Sequence, residues 1–159
     1  MTTTPITTPV TAADQQAMEA ALDEARAADA AGEVPVGAVI VHAGQIVART
    51  QNRMRRDGDP TAHAEVLALR AAAHSQGHEA LRSATLVVTL EPCAMCAGAI
   101  VLARVERLLF GAWDDKAGMC GSVGDIVRHP RLNHQPAVQG GVLATESAAL
   151  LREFFTRRR

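Results

Sequence analysis

Two short segments carry the residue types that do chemistry: Thr61-Ala62-His63-Ala64-Glu65 and Glu91-Pro92-Cys93-Ala94-Met95-Cys96. Cys93 and Cys96 are three residues apart, so a helix opening at Pro92 puts both on one face of its first turn. That end of a helix carries partial positive charge and favours thiolates. Pro92 stands where a missing N–H costs least. Two thiolates and the His63 imidazole make three ligands, the set of a catalytic zinc whose fourth position stays open for water. Two thiolates also cancel the charge of the zinc, so such a site acidifies water less than three imidazoles would. A neighbouring base must then help, and Glu65 is the natural one, best suited if partial burial raises its pKa. In a regular helix, residues two apart point nearly opposite ways. His63 and Glu65 can therefore serve one water only at a helix opening, and Asp59-Pro60 reads as that opening.

Each residue alone has a plainer reading. Cys-x-x-Cys suits a redox pair in a thioredoxin-like context. It also suits half of a four-ligand structural zinc site completed by Cys120, His74 or His78, though none of these sits at a standard spacing. His63 by itself reads as a surface histidine. The joint occurrence of His63, Glu65, Cys93 and Cys96 selects the catalytic reading.

The elements that must position these residues alternate along the chain. A first helix spans 14–31, with Thr11 and Asp14 at capping-box spacing and Met18, Leu22 and Ala25 on one face. Residues 34–41 are almost continuously apolar, as in a buried strand. His42-Ala43-Gly44-Gln45 turns into a second strand at 46–49. A polar loop, 51–59, leads to a helix from Asp59-Pro60 to about residue 74. Then come a strand at 85–90, a helix at 92–103, a strand at 107–110 and a Gly-rich loop at 111–124. A fifth strand at 139–143 and a final helix at 145–157 close the chain. This alternation implies an α/β fold: a three-layer α/β/α sandwich around a mixed, mostly parallel five-stranded sheet.

The 159 residues suit one domain, read as 14–159, behind a Thr- and Pro-rich tail, 1–13, expected to be disordered. With three Phe, one Trp and no Tyr, the core must be aliphatic. A net charge of −1 lacks the bulk basic surplus of a nucleic-acid binder. Two local arginine groups remain: Arg53, Arg55 and Arg56, and Arg152 with Arg157, Arg158 and Arg159. Both read as solvated surface unless a motif says otherwise. Residues 1–10 have no signal-peptide pattern, and no apolar run reaches membrane-spanning length. The expectation is a cytoplasmic protein without membrane association, and three cysteines agree with a reducing compartment.

The pattern His63-x-Glu65 with Pro92-Cys93-x-x-Cys96 resembles the zinc site of the cytidine and deoxycytidylate deaminase superfamily. A closer resemblance is to the bacterial tRNA-specific adenosine deaminases. It rests on Glu33-Val34-Pro35-Val36-Gly37-Ala38-Val39, Asn52-Arg53, the runs 61–70 and 88–100, Phe110-Gly111-Ala112, Asn133-His134 and 148–155. It spans roughly residues 15–158. The resemblance implies one Zn2+ per subunit, a homodimer, and conversion of adenosine to inosine at the wobble position of a tRNA anticodon, that of an arginine tRNA. The partner is then the anticodon stem-loop. Asn52 matches the residue that hydrogen-bonds the flipped base. Asp114, Lys116, Phe154, Phe155 and Arg158 match positions that contact the anticodon loop.

Without the resemblance, Asn52 reads as a turn residue, Lys116 as a surface charge, and Phe154 and Phe155 as anchors of the last helix. The tail and Trp113 have no counterpart in the pattern. Trp113 either stacks on a base or packs, and Cys120 reads as a small buried thiol. Two rivals stand beside this function. One is a deaminase of a free base such as guanine, which shares both motifs and differs in the 114–116 loop and the 154–158 ending. The other is a non-catalytic, zinc-stabilised binding module.

Overall fold

The structure is a computed structural model that describes residues 9–158. Helix α1 (Ala12–Ala30) opens on a reciprocal capping box. The Asp14 N–H donates to the Thr11 hydroxyl at 3.1 Å, and the Thr11 N–H donates to the Asp14 carboxylate at 2.9 Å. The cap starts the helix ahead of the expected residue 14 and takes residues 11–13 out of the expected tail. Residues 1–8 of that tail lie outside the described residues.

Strands β1 (Gly37–His42) and β2 (Gln45–Gln51) form an antiparallel hairpin. Its turn holds Ala43 and Gly44 at φ of 50° and 75°, as hairpin twist demands. The segment read as a polar loop contains a single helical turn, α2 (Met54–Asp57). Next come α3 (Ala64–Gln76), a 3-10 turn at His78–Ser83 and β3 (Ala84–Leu90). Then follow α4 (Ala94–Ala103), β4 (Arg107–Ala112), β5 (Ala137–Gln139) and α5 (Ala144–Arg157). The fifth strand is short and lies two residues ahead of its expected start, because Gly140 and Gly141 end it.

The sheet order is β2-β1-β3-β4-β5. β1 is antiparallel to both neighbours, while β3–β4 and β4–β5 are parallel. Four strands therefore share one direction and β1 alone opposes them, which is the mixed, mostly parallel sheet expected. Side chains alternate between two cores. Ala38, Ile40, Leu86, Val88, Leu108 and Phe110 face one core with Ala64 and Ala68 of α3 and Ala97 and Ile100 of α4. Val39, Val87 and Leu109 face the other, with Met18 and Leu22 of α1 and Leu150 of α5. The result is the three-layer sandwich.

Two glycines set the helix-to-sheet approach. A Cβ on Gly37 would overlap the Ala21 carbonyl of α1, and one on Gly111 would overlap the Ser147 side chain of α5. Arg107 pins the start of α1 to the start of β4 through paired bonds to Asp14 at 2.7 and 2.8 Å. Among the described residues no helix is long and apolar enough to cross a membrane.

Candidate active site

The openings of α3 and α4 meet on one face of the sheet. His63 is the N-cap of α3 and Cys93 the N-cap of α4, and both have extended backbones. α3 does not open at Asp59-Pro60. The Asp59 carboxylate instead accepts from the Thr61 N–H at 2.8 Å and the Thr61 hydroxyl at 2.7 Å. Such short side-chain turns compete with helix. The later start meets the geometric need more directly. His63, outside the helix, escapes the helical rotation and faces the same place as Glu65 in the first turn. The Thr50 hydroxyl of β2 donates to the Ala64 carbonyl at 2.7 Å and holds that opening against the sheet.

His63 Nδ1 lies 3.6 Å from Cys93 Sγ and 3.4 Å from Cys96 Sγ. The ligand atoms of all three residues fall within 4.8 Å of one another. A tetrahedral zinc with ordinary bond lengths spaces its nitrogen and sulfur ligands by about 3.6 Å. The donor set and its spacing fit zinc. His74, His78 and Cys120 lie outside this group, which remains a three-ligand set among the described residues. The structural four-ligand reading and the redox reading both lose their footing, the latter because His63 stands against both sulfurs.

The charges at the site are tightly linked. A hydrogen bond from Cys96, then one from His63, lowers the Cys93 thiol to about 3. The same bond, with burial, pushes Cys96 up. The bond to Cys93 raises His63. Glu65 is only 5% exposed, and burial raises its pKa.

His63, Glu65 and Cys93 line one cleft of about 200 Å³, with Val34, Val36, Asn52, Met54 and Asp114 on its walls, while Cys96 is buried behind them. Asn52 is buried; its amide donates to the Val34 carbonyl at 3.4 Å and its oxygen accepts from the Met54 N–H at 3.2 Å. It therefore does turn chemistry and lines the cleft at once. Asp114 also does both, accepting from the N–H groups of Lys116 and Ala117 at 3.0 and 3.2 Å. Lys116, Phe154, Phe155 and Arg158 do not line the cleft. Phe154 is buried, with Arg158 stacked 4.1 Å from its ring centre, and Phe155 is exposed. Trp113 packs edge-on against Phe110 and keeps about half its surface exposed. Cys120 is fully buried, and burial pushes its thiol up to about 12.

Two buried acids escaped the sequence reading. Glu91 is 2% exposed and accepts from the N–H groups of Asp114, Cys120 and Ser122 at 2.9–3.0 Å, and from the Ser122 hydroxyl. Burial acts to raise its pKa, but these donors outweigh it and hold Glu91 below its ordinary value. It fastens the Gly-rich loop beside the ligand helix. Its signal was an acid directly before Pro92-Cys93, with a glycine-rich loop still in need of an acceptor. Glu33 caps α2, accepting from the Arg55 and Arg56 N–H groups at 3.1 and 2.6 Å. Nothing in its local sequence marks it.

Residues 11–112 match the family model described as the cytidine and deoxycytidylate deaminase zinc-binding region. The chain is 46% identical over 142 residues to the tRNA-specific adenosine deaminase of Bacillus subtilis, covering 89% of this chain and 88% of that protein. The chain belongs to the cytidine and deoxycytidylate deaminase family. Among solved structures of this deaminase family, one from a study of A-to-I editing by tRNA:A34 deaminases aligns at a TM-score of 0.80 and 46% identity. That alignment covers 86% of this chain and 99% of the other. The guanine deaminase of Nitrosomonas europaea aligns at a TM-score of 0.75 and 30% identity, over 93% of this chain and 87% of that one. This deaminase is therefore a zinc-binding member of a family of C–N hydrolases, and the His63, Cys93 and Cys96 group could hold one zinc ion per subunit.

Proposed function

We propose that this deaminase converts adenosine to inosine at the wobble position of a tRNA anticodon, an arginine tRNA among its substrates. It works in the cytoplasm as a homodimer, each subunit a single catalytic domain that begins at the Thr11 cap, with one zinc held by His63, Cys93 and Cys96. One observation carries the reading: three ligand atoms lie within 4.8 Å of one another, and two of their residues, His63 and Cys93, line one cleft with the buried Glu65. The chain that builds it matches a tRNA-specific adenosine deaminase over nearly the whole length of both proteins.

When bound, zinc supplies the Lewis acidity that makes water a nucleophile near neutral pH. Glu65 takes a proton from the water as oxygen bonds to C6 of the extruded base. It returns that proton to the ring nitrogen. Glu65 then takes the proton of the new C6 hydroxyl and passes it to the exocyclic amine; the C6–N bond breaks as the C6 carbonyl forms, so ammonia leaves and inosine remains. Asn52, already fixed by two backbone bonds, orients the base from the cleft wall. Asp114, Lys116, Phe155 and Arg158 receive the anticodon loop, and Phe154, itself buried, supports Arg158 on its ring.

α4 supports the homodimer. Its sequence, AMCAGAIVLA, has no charged residue, and its outer side leaves Met95 and Leu102 exposed. An apolar helix face of this kind marks an association surface.

Zinc content and ammonia release test the reading together. The full chain is offered an anticodon stem-loop with adenosine at the wobble position, and free adenine, guanine and cytidine in parallel. One zinc and ammonia from the stem-loop alone are expected. Ammonia from guanine instead would make this a free-base deaminase. Zinc with no ammonia from any substrate would make it a binding module.

A further inference from the structure

Two arginines remote from each other in the sequence share one acceptor beside the cleft. Arg55 Nη1 donates to the Gly32 carbonyl at 3.2 Å, and Arg158 Nη2 donates to the same oxygen at 3.3 Å. Both side chains are exposed. Neither belongs to an ion pair among the described residues. The nearby acids are engaged elsewhere: Asp29 takes Arg157 at 2.6 Å, and the Glu33 carboxylate takes the N–H groups of α2. Two like charges side by side repel, and a bound anion relieves that repulsion.

The pair is held ready for one. Arg158 rests on the Phe154 ring, and Arg55 is carried by a helical turn that Glu33 fixes from below. A shared acceptor brings both guanidinium forks within reach of a single phosphate, the anion whose geometry they fit. The position is apt for a strand entering the cleft. Arg55 follows Met54, and Gly32 lies two residues before Val34, and both Met54 and Val34 line the cleft.

We propose that Arg55 and Arg158 form a clamp for one backbone phosphate of the RNA strand that delivers its base to the cleft. The clamp rests on the RNA-editing reading above and adds Arg55, which the resemblance does not implicate. It positions the strand without reading its bases.

The test is binding of the wobble-adenosine stem-loop, followed by fluorescence anisotropy across a salt series. Wild type, Arg55→Gln, Arg158→Gln and the double variant are compared, with zinc content as the check on folding. Each single variant is expected to weaken binding about tenfold and to flatten the log–log salt slope by about 1. The double variant should lose less than the product of the two, because one phosphate is shared. Wild-type binding and editing with an unchanged affinity and slope in Arg55→Gln would overturn the clamp and leave the proposed activity standing. A wild type that does not bind the stem-loop would overturn both.

Discussion

Glu65 and His63 lie two positions apart, yet both serve one point, because His63 stands just outside α3 and Glu65 just inside it. Burial makes the Glu65 carboxylate reluctant to lose its proton, which suits the proton-carrying role proposed for it. Glu65→Gln keeps size and burial but ends proton transfer. Turnover should fall by at least about 10²-fold with zinc content unchanged. A variant that loses its zinc, or that still turns over, would remove Glu65 from this role. The grouping of His63, Cys93 and Cys96 was readable in the sequence because their types and spacings are rare together. The cap position of His63 was not, because the Asp59–Thr61 turn that delays α3 is a side-chain effect that Pro60 disguises. Glu91 was also hidden. Its three backbone donors come from residues 114–122, and only the folded loop brings them to it.

At the scale of elements, periodicity carried the helices and the central strands, since each buries a continuous apolar face. The short edge strand β5 carries little such signal, and α2 depends on a cap from Glu33, which precedes it by more than twenty positions. The joint between α1 and β4 is similarly remote. Hydrogen bonds from Arg107 hold Asp14 below its ordinary value of 3.8. A carboxyl depressed in this way stabilises the fold fully above that value and ceases to do so as pH falls through the lower folded value. Asp14→Asn should therefore cost about 1–3 kcal/mol at neutral pH, since the pair is only partly exposed. Denaturant melts of both proteins at a series of pH values should converge below the ordinary value. A gap that persists into strong acid, or that never existed, would mean the pair does not hold α1 in place.

At the scale of the whole molecule, composition says least. A net charge of −1 conceals the local arrangement of Arg55 and Arg158, and overall hydrophobicity conceals which apolar side chains stay outside. Leu102 is 86% exposed on the uncharged face of α4. If that face joins two copies, Leu102→Glu should convert a dimer to a monomer in sedimentation velocity while the zinc site stays loaded. An unchanged sedimentation coefficient would move the interface elsewhere.

The central claim is that zinc and Glu65 act on an adenosine presented by a folded RNA. Single-turnover conversion of an anticodon stem-loop of about 17 nucleotides, long enough to close an A-form stem, tests it most directly. One RNA carries adenosine at the wobble position and a second carries it one position further on. The account predicts inosine in the first and little in the second. Inosine in neither, or equally in both, would contradict it.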